Sequence, residues 1–155
     1  MITVLKTEIK TTNGFMIVLN GRADRWDEKL EPMLTEYEAV LGKEMWKHII
    51  LCVSKWSFDQ KYIDEREINN KTPKSWITEH IRKINEKFTI DVDLDYVFID
   101  SWARNPETDN LSDSHQQVMY NNETKKLWNW LSNSQDFDLT SKNSYWVSQK
   151  SISYI

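Results

Sequence analysis

Three short segments hold the side chains best suited to grip a planar, polar ligand: Asn20-Gly21-Arg22, Ser54-Lys55-Trp56-Ser57-Phe58-Asp59 and Asp100-Ser101-Trp102. Each closes an apolar run, and in open α/β sheets ligands bind beyond the carboxyl ends of the strands. The second and third segments are the more informative. A guanine ring requires a carboxylate to accept from its N1 and N2 hydrogens, and a flat or aliphatic cover for its face. A strand ending in Thr or Asn, then Lys, any residue and Asp supplies both, because the Lys stem covers the base and the Asp accepts. The next strand adds a contact to O6. Trp56 and Trp102 offer rings that stack on a base, a contact worth about 1–3 kcal/mol in nucleic-acid complexes; alternatively they pack beneath their own loops.

Other chemistries are poorly served. The chain of 155 residues has three glycines, Gly14, Gly21 and Gly42. A phosphate loop of the form GxxxxGK[ST], or a dinucleotide fingerprint GxGxxG, needs glycines much closer together. His48, His80 and His115 lack metal-ligand spacing. Asp91, Asp93 and Asp95 alternate, but the glycine and terminal Glu of a calcium loop are missing, so they read as a solvated turn. Cys52 lies inside an apolar run and reads as an inert core thiol.

The elements that must position these residues follow from periodicity. Ile2, Leu5 and Ile9 recur at helical spacing and predict a helix over 2–12. Phe15–Leu19 is a continuous apolar run, the pattern of a parallel strand buried on both faces; His48–Val53 is a second buried-strand run, and Asp95–Ile99 reads as a third strand. Asp24 to Asp27 read as a polar turn. Leu30, Met33, Leu34, Tyr37 and Leu41 predict a helix, with Pro32 in its first turn and Gly42 as a left-handed C-cap. Thr72-Pro73 reads as an N-cap and first helical residue, followed by Ile77, Ile81, Ile84 and Phe88 on one face. Residues 100–120 read as a polar loop. Glu123 to Asn133 form a last helix with Leu127, Trp128 and Leu131 inward; Trp128 and Trp130 cannot share a face, so one is core and the other marks an interface. Residues 134–155 form a Ser/Asn/Lys-rich tail that periodicity does not place.

The order helix–strand–helix–strand–helix–strand–helix implies an α/β fold, a parallel sheet with helices on both faces and right-handed crossovers. Three strands make a small sheet, and Phe15–Leu19 is too apolar for an open edge, which natural proteins blunt with charge or proline. Further strands are expected beside it.

Asn13-Gly14-Phe15-Met16-Ile17-Val18-Leu19-Asn20-Gly21, Leu41-Gly42 and His48 through Asp59 together resemble the GTPase of immunity-associated proteins (GIMAP) family, and more closely its divergent animal relatives, in which a Trp-Ser-aromatic-Asp stretch follows the strand. The resemblance runs over about residues 2–133, with 134–155 as a separate tail. It implies the C-terminal part of a G domain, a partial P-loop NTPase fold lacking its N-terminal strands, phosphate loop, switches and Asp-x-x-Gly motif. It implies GTP or GDP as ligand. Ser54 stands where the family has Thr, Lys55 where relatives place a basic or His residue against the base, and Ser57 in the place of the acidic acceptor. Asp59 falls two residues late, while Asp100 and Ser101 fall where the family often has paired Asn near the base. Phosphoryl transfer needs a phosphate cradle, a Mg²⁺ ligand and a positioned water. No residue here supplies them, so no catalytic residue and no Mg²⁺ site is assigned, and hydrolysis by this chain alone is expected to be weak or absent. A homo- or hetero-dimer with a related G domain is the partner implied; the alternative is a non-catalytic pseudo-GTPase module that pairs with such a domain.

Composition bounds the rest. A net charge of −4 and a pI near 5.4 give no electrostatic reason to bind nucleic acid. The apolar runs are too short to span a membrane. One cysteine and no signal-peptide pattern suit a reducing, cytoplasmic setting.

Overall fold

The computed structural model describes residues 11–22, 30–100 and 114–139. The expected polar turn at Asp24–Asp27 and most of the expected helix over 2–12 lie outside them. The described elements are strands β1 (Thr11–Thr12) and β2 (Phe15–Asn20), helix α1 (Leu30–Leu41), a 3-10 helix (Lys43–His48), β3 (Ile49–Ser54), α2 (Gln60–Ile68), α3 (Pro73–Phe88), β4 (Asp95–Ile99), α4 (Ser114–Asn133) and β5 (Phe137–Asp138).

The centre is a parallel sheet in the order β2-β3-β4. Its register pairs Leu19 with Val53 and Val53 with Phe98, so all three strands end at one level. Side chains alternate between the faces, as the period of two demands. Ile17, Leu19, Leu51, Val53 and Phe98 enter the main core, where they meet Leu30 and Leu34 of α1 and Ile77, Ile84 and Phe88 of α3. The opposite face carries a small cluster of Ile50, Cys52 and Val97, packed by Ile99 and by Leu127 and Trp130 of α4. The expected α/β class and parallel sheet are therefore present.

Helix ends follow local chemistry. The Thr72 hydroxyl accepts from Ser75 N–H at 3.1 Å and Pro73 opens α3, as a proline at the first helical position should. Pro32 sits in the first turn of α1. Gly42 donates its N–H to Glu38 O at 2.7 Å, at φ 77 and ψ 170. Its φ is positive as expected, but the ψ is extended rather than that of a left-handed cap.

Several expectations are corrected. β3 is buried on both faces along its length and β4 at its centre, at Val97 and Phe98; on β2, Met16 and Val18 are 44% and 59% exposed, because α4 packs along β4 and leaves the outer face of β2 open. The long polar loop is shorter than expected, since α4 starts at Ser114 and not near Glu123. Trp128 and Leu131 are exposed, whereas Leu127 and Trp130 face the sheet. The helical phase is set by Gly14, whose missing side chain admits the Trp130 ring: a Cβ there would stand 2.3 Å from it. Thr11–Thr12, expected at the end of a helix, pair antiparallel with Phe137–Asp138 instead, so the tail begins with a strand tied to the start of the described chain. The Phe137 ring packs edge-on against Phe15, with centroids 5.7 Å apart. α2 had no counterpart in the periodicity, for it is mostly polar, its Tyr62, Ile63 and Ile68 make no buried face, and it buries no residue.

Both sheet edges carry signs of their exposure. On β4, the buried Glu123 carboxylate accepts from Phe98 N–H at 2.9 Å, satisfying an outward donor on an edge strand. Lys126 pairs with the other oxygen of Glu123.

Candidate functional site

The carboxyl ends of β2 and β3 bring Gly21 beside Ser54. Gly21 N–H donates to Ser54 O at 2.8 Å, and the Ser54 hydroxyl donates to Leu19 O at 2.9 Å. Gly21 lies so close to Trp56 that a Cβ would stand 2.9 Å from its ring. These contacts stitch the two strand ends together. The Ser54 hydroxyl thus works on the backbone.

Lys55 follows at φ 57 with its side chain exposed. A non-glycine residue in the left-handed region carries backbone strain, and such residues cluster at functional sites. The turn sends Lys55 outward and Trp56 inward. Trp56 is 2% exposed and packs on Phe98 and Trp76, with centroids 4.7 and 5.7 Å away. The Arg66 guanidinium covers the ring at 4.4 Å from its centroid, a cation–π contact. Of the two readings of Trp56, the described packing is that of a ring beneath its own loop.

The acidic candidates have structural partners. The Asp59 carboxylate caps α2 by accepting from Lys61 N–H at 2.9 Å. The Ser57 hydroxyl accepts from Asp59 N–H at 3.2 Å, and Ser57 O accepts from Arg66 at 2.5 Å. Asp100 is 1% exposed, and its Oδ2 accepts from Phe58 N–H at 2.9 Å. That bond ties the end of β4 to the loop after β3. Ser101 and Trp102 lie outside the described residues. Ser54 to Asp59 and Asp100 are thus brought to one end of the sheet, with Lys55 the side chain most free to meet a ligand.

A cavity of about 310 Å³ opens beside this loop, between the end of β2 and helices α2 and α3. Arg66, Tyr62 and Trp76 form walls that the periodicity did not single out. α2 was the missed element, and the available signal was Asp59, an N-cap residue followed by strong helix formers. Burial lowers the basicity of the Arg66 guanidinium, while the charges of Asp100 and Glu65 raise it. Trp76 stacks on His80 with centroids 3.7 Å apart, and His80 Nδ1 lies 2.8 Å from Trp76 O. Burial lowers the His80 basicity, the hydrogen bond opposing it.

A larger cavity, about 620 Å³, lies at the other end of the sheet between β3, β4 and the C-terminal end of α4. It contains His48, Asp95, Lys126 and Trp130, but none of the expected site residues. Cys52 is buried and burial pushes its thiol pKa up, which suits an inert core thiol. Among the described residues, no three His, Cys, Asp or Glu side chains gather as a metal site, and no helix is long and apolar enough to cross a membrane.

No protein-family model matches the chain, and no curated protein matches it.

Proposed function

We propose that this chain provides the base-binding side of a GIMAP-like guanine-nucleotide domain and does not hydrolyse GTP by itself. The supporting observation is the end of the central strand: Ser54 anchors two parallel strands, and the strained turn at Lys55 presents an exposed lysine at the mouth of the sheet. The Lys55 stem covers the base. Asp59 and Asp100 already accept backbone hydrogen bonds, so each has only part of its acceptor capacity left for the guanine N1 and N2 hydrogens. Binding is accordingly weak, and preference for guanine over adenine is modest. The phosphate cradle, Mg²⁺ ligand and positioned water that hydrolysis requires are not supplied by any residue of this reading.

The test is an equilibrium titration of the full chain with a fluorescent GDP analogue, competed by GTP, GDP and ATP. The expected result is weak saturable binding, competed best by GTP and GDP and lost in Lys55→Ala. Equal competition by ATP would remove the guanine assignment, and absence of saturable binding would remove the site. GTP turnover at the rate of a complete G domain would overturn the non-catalytic part.

A second reading, a non-catalytic module that pairs with another G domain, is favoured by one feature. Met16 and Val18 form an exposed apolar row on an edge strand. Sedimentation equilibrium distinguishes it: association that Val18→Lys abolishes supports pairing, and a monomer across the concentration range excludes self-pairing.

A further inference from the structure

The cavity beside the Lys55 loop has a charge that the rest of the chain does not share. Arg22, Lys55, Arg66 and Lys71 line it, against one carboxylate, Glu65. The whole chain carries a net charge of −4, so four cations around about 310 Å³ are a local concentration of the minority sign. Among the described residues, no ion pair engages Arg22 or Lys55. Arg66 is held in place by its bond to Ser57 O and its seat over Trp56, and the charge of Asp100 acts on it. Burial works against its charge, which an anion in the cavity would favour.

A second observation comes from the floor. Among the described residues, the Trp56 indole N–H is the buried side-chain polar atom without a partner. An indole nitrogen only donates, and a buried donor without an acceptor costs stability until one is provided. Trp56 lines the same cavity.

We propose that this cavity binds a phosphate-type polyanion, with Arg66 and Arg22 as the principal ligands, Lys55 and Lys71 contributing charge, and an anionic oxygen at the edge of the Trp56 ring accepting from its indole N–H. Arginine suits this role because its planar fork donates two parallel hydrogen bonds to phosphate oxygens. The site shares Lys55 with the proposed base site but is centred on the α2–α3 side of the loop, with Arg22, Arg66 and Lys71, whereas Asp100 ends β4. It does not rest on the guanine reading.

Inorganic pyrophosphate is the probe, since it carries no base. The full ¹⁵N-labelled chain is titrated at constant ionic strength, and the assigned Trp56 indole resonance is followed. The expected result is a saturable shift of that resonance. Arg22→Ala is exposed to no structural duty described above and should weaken binding about tenfold, or about 1.4 kcal/mol. Arg66→Lys keeps the charge but loses the fork, and should weaken it similarly with the fold intact by circular dichroism. No shift beyond that caused by matched sodium chloride overturns the proposal, as does unchanged affinity in both variants. Failure here with retained GDP binding would remove the anion site alone; saturable pyrophosphate binding with no base-dependent gain in affinity for GDP would remove the base reading alone.

Discussion

The two faces of the central sheet use the same three strands and are built very differently. On one, alternate residues of β2, β3 and β4 meet two helices and the 3-10 segment in a core that includes Trp46, Leu34 and Ile84. On the other, α4 packs along β4, and the apolar surface fades from a dry cluster at Val97 to exposed Met16 and Val18 at the β2 edge. Burial, not composition, separates them: Val18 and Val53 are the same residue type one strand apart. Only the face that loses water contributes apolar burial, at roughly 25 cal/mol per Å². The covered face holds the fold and the Trp56–Trp76–Phe98 group beneath the candidate site; the open face is free to change or to meet a partner.

The sharpest way to break this contrast is Ile84→Ala. Ile84 is 0% exposed in the main core, and truncation there should cost about 2–5 kcal/mol in a urea titration. A loss under about 1 kcal/mol would mean that the covered face does not dominate stability.

A smaller effect is expected from pH. His80 belongs to the covered face, and its pKa is lowered, so the folded state prefers the neutral ring. The unfolded chain then binds more protons, and stability rises with pH through this window. The contribution is complete above the ordinary histidine value of about 6.5 and is lost as pH falls below it toward the folded value. Thermal midpoints measured across that range should drop on acidification, and His80→Gln should flatten the drop. An unchanged slope in His80→Gln would reassign the effect.

The smallest effect belongs to the open face. Val18→Thr keeps the branched shape and strand preference while adding a hydroxyl where water already reaches. Its cost in the same urea titration should stay within about 0.5 kcal/mol. A loss of several times that would show that something covers this face.

Legibility divided along the same line. The positions of the three parallel strands, the α1 and α3 helices, the Thr72-Pro73 start and the clustering of Ser54–Asp59 with Asp100 were readable, because each rests on local periodicity or on a strand end. The polar helix α2 was not, having no apolar face to betray it, and with it went Arg66 and the wall of the cationic cavity. The phase of α4 was misread because Leu127, Trp128, Trp130 and Leu131 permit more than one inward face. Gly14 settles it by admitting Trp130, a contact between residues far apart in the chain.

From its own residues, then, the chain determined its α/β order, its parallel strands and the side chains gathered at their ends. These depend on hydrophobic period, caps and turns, which act over a few residues. Tertiary structure decided what those side chains are free to do. It buried Trp56, assigned Asp59 to a helix cap and Asp100 to a loop anchor, and left Lys55 exposed among arginines. A carboxylate's or an indole's role depends on which donors, acceptors and water surround it, and packing across the sheet sets those neighbours.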